Sequence, residues 1–281
     1  MPTLYIVATP IGNLEDITLR ALRILSEVDL IAAEDTRVTR KLLERHKLKT
    51  PLMSYHAHNY HRQTPKILKS LIEKDVALVS DAGMPGISDP GAELVNAVSK
   101  SHITIVPVPG PSAVTSAISA SGLEAGQFSF IGFWPRRSSE RKRLLRMLST
   151  DPKALVAFET PHRFTKSLSD VLAVLGDRQI TVCREMTKIH EEIFRGTITD
   201  ALLHFSHPIG EFTLVIHGAD PVIDDIQTLE KNAISTLALL RCQGAKAKDA
   251  VSSVVKESGL PKSRVYKMWL NLATVSDNVD H

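Results

Sequence analysis

The residues with the most chemistry to offer are carboxylates and bare backbone crowded behind apolar runs. Val79-Ser-Asp-Ala-Gly-Met-Pro-Gly-Ile-Ser-Asp-Pro-Gly91 places Gly83, Gly86, Gly91, two prolines and two aspartates directly after Val76-Ala-Leu-Val79. A glycine-rich turn lets a ligand reach main-chain N–H and C=O groups, because no Cβ stands in the way. Two similar loops follow apolar runs: Ala8-Thr-Pro-Ile-Gly-Asn13 after Leu4-Tyr-Ile-Val7, and Pro107-Val-Pro-Gly-Pro-Ser-Ala113 after Ile103-Thr-Ile-Val106. Three such edges point to a small-molecule site at the carboxyl end of a parallel sheet.

The elements that must position these loops alternate. Leu4–Val7, Leu30–Ala33, Val76–Val79 and Ile103–Val106 read as strands. Thr18–Val28, the stretch to about His46, Pro65–Glu73, Gly91–Lys100 and Ser112–Ser121 carry helical spacing. This pattern predicts an α/β domain with a largely parallel sheet over residues 1–122. From about residue 123 the pattern changes but stays α/β, with strands at Phe128–Ile131, Ala154–Phe158, Ile180–Cys183 and Phe212–His217. A second α/β domain is expected over 123–222. Asp220–Asp225 reads as a polar linker, and 223–281 as a purely helical tail.

Composition excludes several classes. The chain has 281 residues, 43% of them hydrophobic and 23% charged, which fits a folded protein and not a disordered one. A net charge of +3 does not by itself demand a nucleic-acid partner. Cys183 and Cys242 form neither a metal-ligand spacing nor a disulfide framework. No leader peptide and no membrane-length apolar run is visible, so a cytoplasmic protein is expected. The sequence lacks G-x-G-x-x-G, G-K-[ST] and H-E-x-x-H. That counts against dinucleotide oxidoreductases, P-loop NTPases, zinc hydrolases and methyltransferases with a glycine-rich Rossmann loop.

Seven motifs in order carry a family resemblance. They are Thr9-Pro-Ile-Gly-Asn13, Ala33-Glu-Asp-Thr-Arg37, Ser80-Asp-Ala-Gly-Met-Pro85, Ser88-Asp-Pro-Gly91, Pro109-Gly-Pro-Ser-Ala113, Phe158-Glu-Thr-Pro-His-Arg163 and Arg184-Glu-Met-Thr-Lys188. Together they resemble the tetrapyrrole-methylase family. Within it they resemble the bacterial branch that methylates the ribose 2′-hydroxyl of a cytidine in the decoding region of 16S ribosomal RNA. Ala8 departs from the Gly or Pro usual there. The resemblance implies two α/β domains of the tetrapyrrole-methylase type, S-adenosylmethionine in the cleft between them, a small helical tail and a homodimer. It places Pro10, Asp81, Gly83, Met84, Ser112, Ala113 and Phe158 on the cofactor. A ribose hydroxyl is a poor nucleophile, so alignment and a proton acceptor are needed. The ionisable residues of the motifs become the catalytic candidates: Glu34, Asp35, Arg37, Glu159, Arg163, Glu185 and Lys188. Arginines could hold flanking phosphates, and Lys188 or a carboxylate could take the proton.

An RNA substrate agrees with the charge distribution. The run from Trp134 to Met147 carries Arg136, Arg137, Arg141, Lys142, Arg143 and Arg146 against the single acid Glu140. The tail reads as helix, turn, helix, with Lys262, Arg264 and Lys267 on the second helix. His56 and His58, with His61 nearby, suggest an RNA-contacting loop more than a metal site, since no Cys or carboxylate partners them. Two other functions compete: a tetrapyrrole methylase making a corrinoid or sirohaem precursor, and a non-catalytic RNA-binding assembly protein. The basic segments argue against the first, and the three ligand loops argue against the second.

Overall fold

The structure, a computed structural model, describes residues 2–89, 91–123, 126–219 and 226–276. Met1–Gly218 pack as one compact unit and Ala219–His281 as a second.

The first sheet contains β1 (Thr3–Val7), β2 (Leu30–Ala33), β3 (Leu52–Ser54), β4 (Val76–Val79) and β5 (Thr104–Val108) in the order β3-β2-β4-β1-β5. All its pairings are parallel. Val76, Ala77, Leu78 and Val79 are all buried, as a strand covered on both faces requires. The cover comes from α1 (Leu19–Glu27) and α2 (Thr36–Arg45) on one face, and α3 (Tyr60–Ser70) and α4 (Ala92–Lys100) on the other. α1 shows why these segments are helical. Ala21, Ile24 and Leu25 are buried at helical spacing, and the Thr18 hydroxyl accepts the Ala21 N–H at its start.

The second sheet contains β6 (Phe128–Phe133), β7 (Ala154–Glu159), β8 (Gln179–Arg184), β9 (Glu192–Thr197) and β10 (Phe212–Ile216) in the order β6-β7-β10-β8-β9. Only β6 and β7 are parallel. One core joins α6 (Ser138–Met147), α7 (Pro161–Leu175) and α8 (Ile198–His204) to this sheet through Leu145, Phe164, Leu168, Ile198 and Phe212. The other face is covered by α5 (Ala113–Ser121), whose Val114 and Ala117 pack on Val156, Cys183 and Val215. A helix that leaves the first sheet therefore roofs the second. Burial pushes the Cys183 thiol up to about 11, so it packs as a small apolar group and not as a nucleophile.

The second unit is helical: α9 (Ile226–Cys242), α10 (Ala247–Ser258) and α11 (Lys262–Ser276). Leu237, Val251, Val254, Val265 and Trp269 form its core. Gly259 closes α10 at φ +68°, the left-handed conformation a side chain resists. The Arg241 guanidinium lies 5.3 Å from the Trp269 ring centre.

Three elements depart from the sequence expectation: β3, β9 and α8. α3 begins at Tyr60 and runs through Pro65, the residue at which its start is expected. The expected linker at 220–225 lies outside the described residues.

Candidate active site

The strand order places β4, β1 and β5 side by side, so the three ligand loops emerge from neighbouring strands. The first two are joined. Thr9 and Gly83 exchange backbone hydrogen bonds of 2.9 and 3.0 Å, and the Thr9 hydroxyl donates to the Ser80 carbonyl at 3.0 Å. β2 lies on the other side of β4 and brings Glu34 to the same edge.

A cavity of about 360 Å³ opens here, within the range of small-molecule sites. Ile11, Gly83, Met84, Ser112 and Ala113 line it from the loops of the first sheet. Phe158 and Glu159 at the end of β7, Phe133 at the end of β6, and Glu211, Phe212 and Thr213 at the start of β10 line it from the second. Phe133 and Phe158 are tilted against each other with ring centres 5.5 Å apart. A larger depression of about 550 Å³ involves Pro2, Ile72, Ser101 and Thr104. It sits at the amino ends of β1 and β5, away from the loops, and carries no carboxylate, so it is not the candidate site.

Three carboxylates from the first sheet's loops, Glu34, Asp81 and Asp89, face the cavity, with Glu159 and Glu211 on the side of the second sheet. The Asp81 N–H donates to Glu34 Oε2 at 3.3 Å, and the Asp35 N–H donates to Asp81 Oδ1 at 2.9 Å. Burial pushes Glu34 and Asp81 above the ordinary carboxylate range, and mutual repulsion among the acids adds to it. Asp89 is pushed up to about 6, first by burial and then by the charge of Glu34. Glu159 is buried, and its Oε1 accepts the Thr160 N–H at 2.8 Å. Its Oε2 lies 3.4 Å from Arg163 Nη2 and takes no hydrogen bond in the structure.

The other sequence candidates line no part of the cavity. Some stand just outside the cavity. Pro10 is buried, and its neighbour Ile11 makes the contact surface instead. Asp35 caps α2, accepting the Arg37 N–H at 2.8 Å and the Arg37 guanidinium at 2.6 Å. Arg37 holds the Asp35 carboxyl down to about 2. Lys188 Nζ lies 2.9 Å from Glu185 and 2.8 Å from Glu211. Burial disfavours its charge, but hydrogen bonds to Glu211 and Glu185 outweigh that and raise it above the ordinary lysine range. The loop carrying Lys188 touches the first sheet. A Cβ on Gly12 would fall 2.6 Å from Lys188 Cγ and 2.9 Å from the Met186 carbonyl, so only glycine fits there.

Others serve the scaffold. Arg163 Nη2 donates to the Trp134 carbonyl at 2.5 Å and so anchors the chain entering α6. Arg141 corrects an expectation. Its side chain is 4% exposed and pairs with Asp170 at 2.5 Å, so it is no surface phosphate contact. Arg136, Arg137 and Arg143 are exposed, as the basic run suggests. In the second unit Lys262 and Lys267 are exposed, and Arg264 pairs with Glu230. His56 Nδ1 accepts the His58 N–H at 3.1 Å. Among the described residues no cluster of three or more His, Cys, Asp or Glu could hold a metal ion.

Asp89, Phe133 and the Glu211–Thr213 segment are not among the residues singled out from sequence. Asp89 lies inside the Ser88–Gly91 motif, so its signal was available. β10 carries no loop signature, and only its central place in the second sheet brings it to the cavity.

The match to known proteins follows this geometry. Residues 3–202 match the model of the Tetrapyrrole (Corrin/Porphyrin) Methylases. Solved structures share the fold. One is uroporphyrin-III-C-methyltransferase from Thermus thermophilus (20% identity, TM-score 0.55, 76% of this chain and 94% of that one). Another is the methyltransferase CobJ (19% identity, TM-score 0.61, 78% and 95%). The chain belongs to the tetrapyrrole methylase family, a class of enzymes that need a methyl donor. Its more similar relatives are named ribosomal RNA small subunit methyltransferase I. That of Synechocystis sp. is 44% identical over 97% of this chain and 99% of its own length. That of Bacillus subtilis is 42% identical over 96% and 94%. The Thermotoga maritima relative is 49% identical and is matched over its whole length by 78% of this chain. Among the described residues no helix is long and apolar enough to cross a membrane.

Proposed function

We propose that the chain transfers the methyl group of S-adenosylmethionine to the ribose 2′-hydroxyl of a cytidine in the decoding region of 16S ribosomal RNA, acting on the small ribosomal subunit as a homodimer. The observation that carries the donor assignment is the pairing of an acidic cavity wall with an apolar one. S-adenosylmethionine is a sulfonium with an ammonium group, and Glu34 and Asp81 offer negative charge to it. Ile11, Met84, Val114 and Phe158 suit its thioether arm and adenine. The buried, unbonded Glu159 Oε2 suits an N–H group of a ligand. When bound, the donor supplies an electrophilic methyl carbon. The protein's own work is to orient it, exclude water and accept a proton.

The RNA acceptor is supported by the named relatives and by the exposed Arg136, Arg137 and Arg143. Neighbours of the same fold are named for tetrapyrrole substrates, which keeps that substrate class as the alternative. The test is transfer of tritiated methyl to unmodified small subunits, free 16S RNA and a uroporphyrinogen, followed by mapping of the labelled nucleotide. Label at a cytidine ribose supports the reading, and label only in the tetrapyrrole overturns it.

A further inference from the structure

Methyl transfer to a hydroxyl requires a base, and the carboxylates in and beside the cavity are of unequal freedom. Asp35 is held by the Arg37 guanidinium at 2.6 Å, and Glu185 by Lys188 at 2.9 Å and the Glu211 N–H at 2.9 Å. Lys188 carries a proton between two carboxylates and has no lone pair to offer. Asp81 accepts the Asp35 N–H, and Glu34 accepts the Asp81 N–H. Asp89 differs. Among the described residues neither a main-chain N–H nor a cationic side chain is bonded to its carboxylate. It is partly buried at the cavity wall, where Glu34 and Asp81 face it from neighbouring loops and Glu159 and Glu211 line the opposite side.

The backbone fixes where Asp89 points. Ser88 adopts φ +68°, which costs energy for a residue with a side chain. It is accommodated by the second sheet. Gly132, at φ +70°, sits where β6 shifts register, and a Cβ there would meet the Ser88 hydroxyl at 3.1 Å. A strained turn seated against the other sheet holds the next side chain over the cavity.

We propose that Asp89 accepts the proton of the acceptor hydroxyl during methyl transfer. This rests on the methyltransferase reading above. The acceptor oxygen bonds to the methyl carbon as the carbon–sulfur bond breaks, and that bond's electron pair stays on sulfur. The hydroxyl proton passes to the Asp89 carboxylate, which later releases it to water. Burial and the charge of Glu34 keep this carboxyl at about 6, so near neutral pH it is ionised yet basic enough to serve.

The test is single-turnover methyl transfer to unmodified small subunits between about pH 5 and 8, with donor affinity measured separately by calorimetry. Wild type should show an acidic limb near pH 6. Asp89→Asn should lower the rate by about 10²–10⁴-fold and abolish that limb, with S-adenosylmethionine affinity within about threefold of wild type. Asp89→Glu should keep the limb, and Glu34→Gln should move it to lower pH by removing a repelling charge. If Asp89→Asn does not fold, these two variants decide. A rate within about fivefold of wild type, a limb that survives Asp89→Asn, a limb that Glu34→Gln leaves in place, or a tenfold loss of donor affinity in Asp89→Asn would each overturn the assignment. Absence of transfer by the wild type, with donor binding intact, would overturn the acceptor reading and this proposal with it.

Discussion

The Asp35 N–H donates to the Asp81 carboxylate at 2.9 Å, so one side chain both faces the cavity and ties the loop after β2 to the loop after β4. The two roles separate by substitution. Asp81→Asn keeps an acceptor oxygen for Asp35 but removes the charge offered to a cationic donor. It should fold normally and bind S-adenosylmethionine about ten- to a hundredfold more weakly, the range for a hydrogen bond to a charged group. Asp81→Ala should lose the loop tie as well and melt earlier. Calorimetry beside a thermal melt checks both, and unchanged affinity in Asp81→Asn would remove Asp81 from the donor site.

Asp89 makes stability depend on pH in a definite direction. Its folded value of about 6 lies above the ordinary 3.8, so the native state holds the proton more tightly than the unfolded chain. That contribution to stability is complete below about pH 3.8 and is lost as pH rises through about 6. Asp89→Asn cannot ionise. It should therefore be more stable than wild type near pH 7.5, by about 1–2 kcal/mol because solvent screens a half-buried charge, with the gap closing toward pH 4. Urea denaturation at the two pH values measures this. A variant no more stable than wild type near pH 7.5 would show that ionised Asp89 carries no such cost.

Arg141 should matter to folding and not to RNA. It binds Asp170 through Nε at 2.9 Å and Nη2 at 2.5 Å, and the Pro135 carbonyl through Nη1 at 2.7 Å. Burial works against the Asp170 charge, but hydrogen bonds from Ser138, Arg141 and Lys142 outweigh it and hold the carboxyl below its usual range. Arg141→Ala should cost about 3–5 kcal/mol, because it leaves a largely buried carboxylate without its main partner. A loss below about 1 kcal/mol in urea denaturation would mean Lys142 alone suffices.

The RNA grip of the basic run should come from its exposed members. Replacing Arg136, Arg137 and Arg143 together by Ala should weaken binding to the small subunit. Each phosphate that is no longer neutralised should reduce the salt slope by about one. Fluorescence titrations over a range of salt give the slope, and a wild-type slope in the triple variant would show a face that is merely solvated.

The second unit has its own core, so it can be removed as a piece. Deleting residues from 219 onward should leave S-adenosylmethionine affinity nearly unchanged and weaken binding to the subunit, through loss of Lys262, Arg264 and Lys267. Circular dichroism and sizing establish folding first. A folded truncation that methylates subunits at wild-type rate and affinity would show that the unit does not grip RNA.

Much of this was legible in the chain. Buried runs such as Val76–Val79 announce central strands, and the turn residues after them announce loops, because both signals are local. Weak local signals failed. β3 has only three residues, and β9 is an edge strand holding Glu192, Arg195 and Gly196, with no run of apolar residues to mark it. α8 has only seven residues, yet its start was readable: Thr197 and Asp200 form a reciprocal cap. Pro65 misled because proline marks helix starts, whereas here Asn59 precedes the first turn and the helix accepts proline at its sixth residue.

The sequence alone determined the class of element, the three loops that edge the cavity and the family, because these rest on residue types at short spacing. Tertiary structure decided which charges are free. Arg141 and Arg143 are two residues apart in one basic run, yet one is buried on Asp170 and the other is exposed, since a helix turns alternate residues toward different neighbours. It also decided the composition of the cavity. Asp89 and Thr213 are far apart in the chain and meet only because α5 carries the chain from the first sheet onto the face of the second. Pairings of that range depend on packing between sheets, which no local pattern encodes.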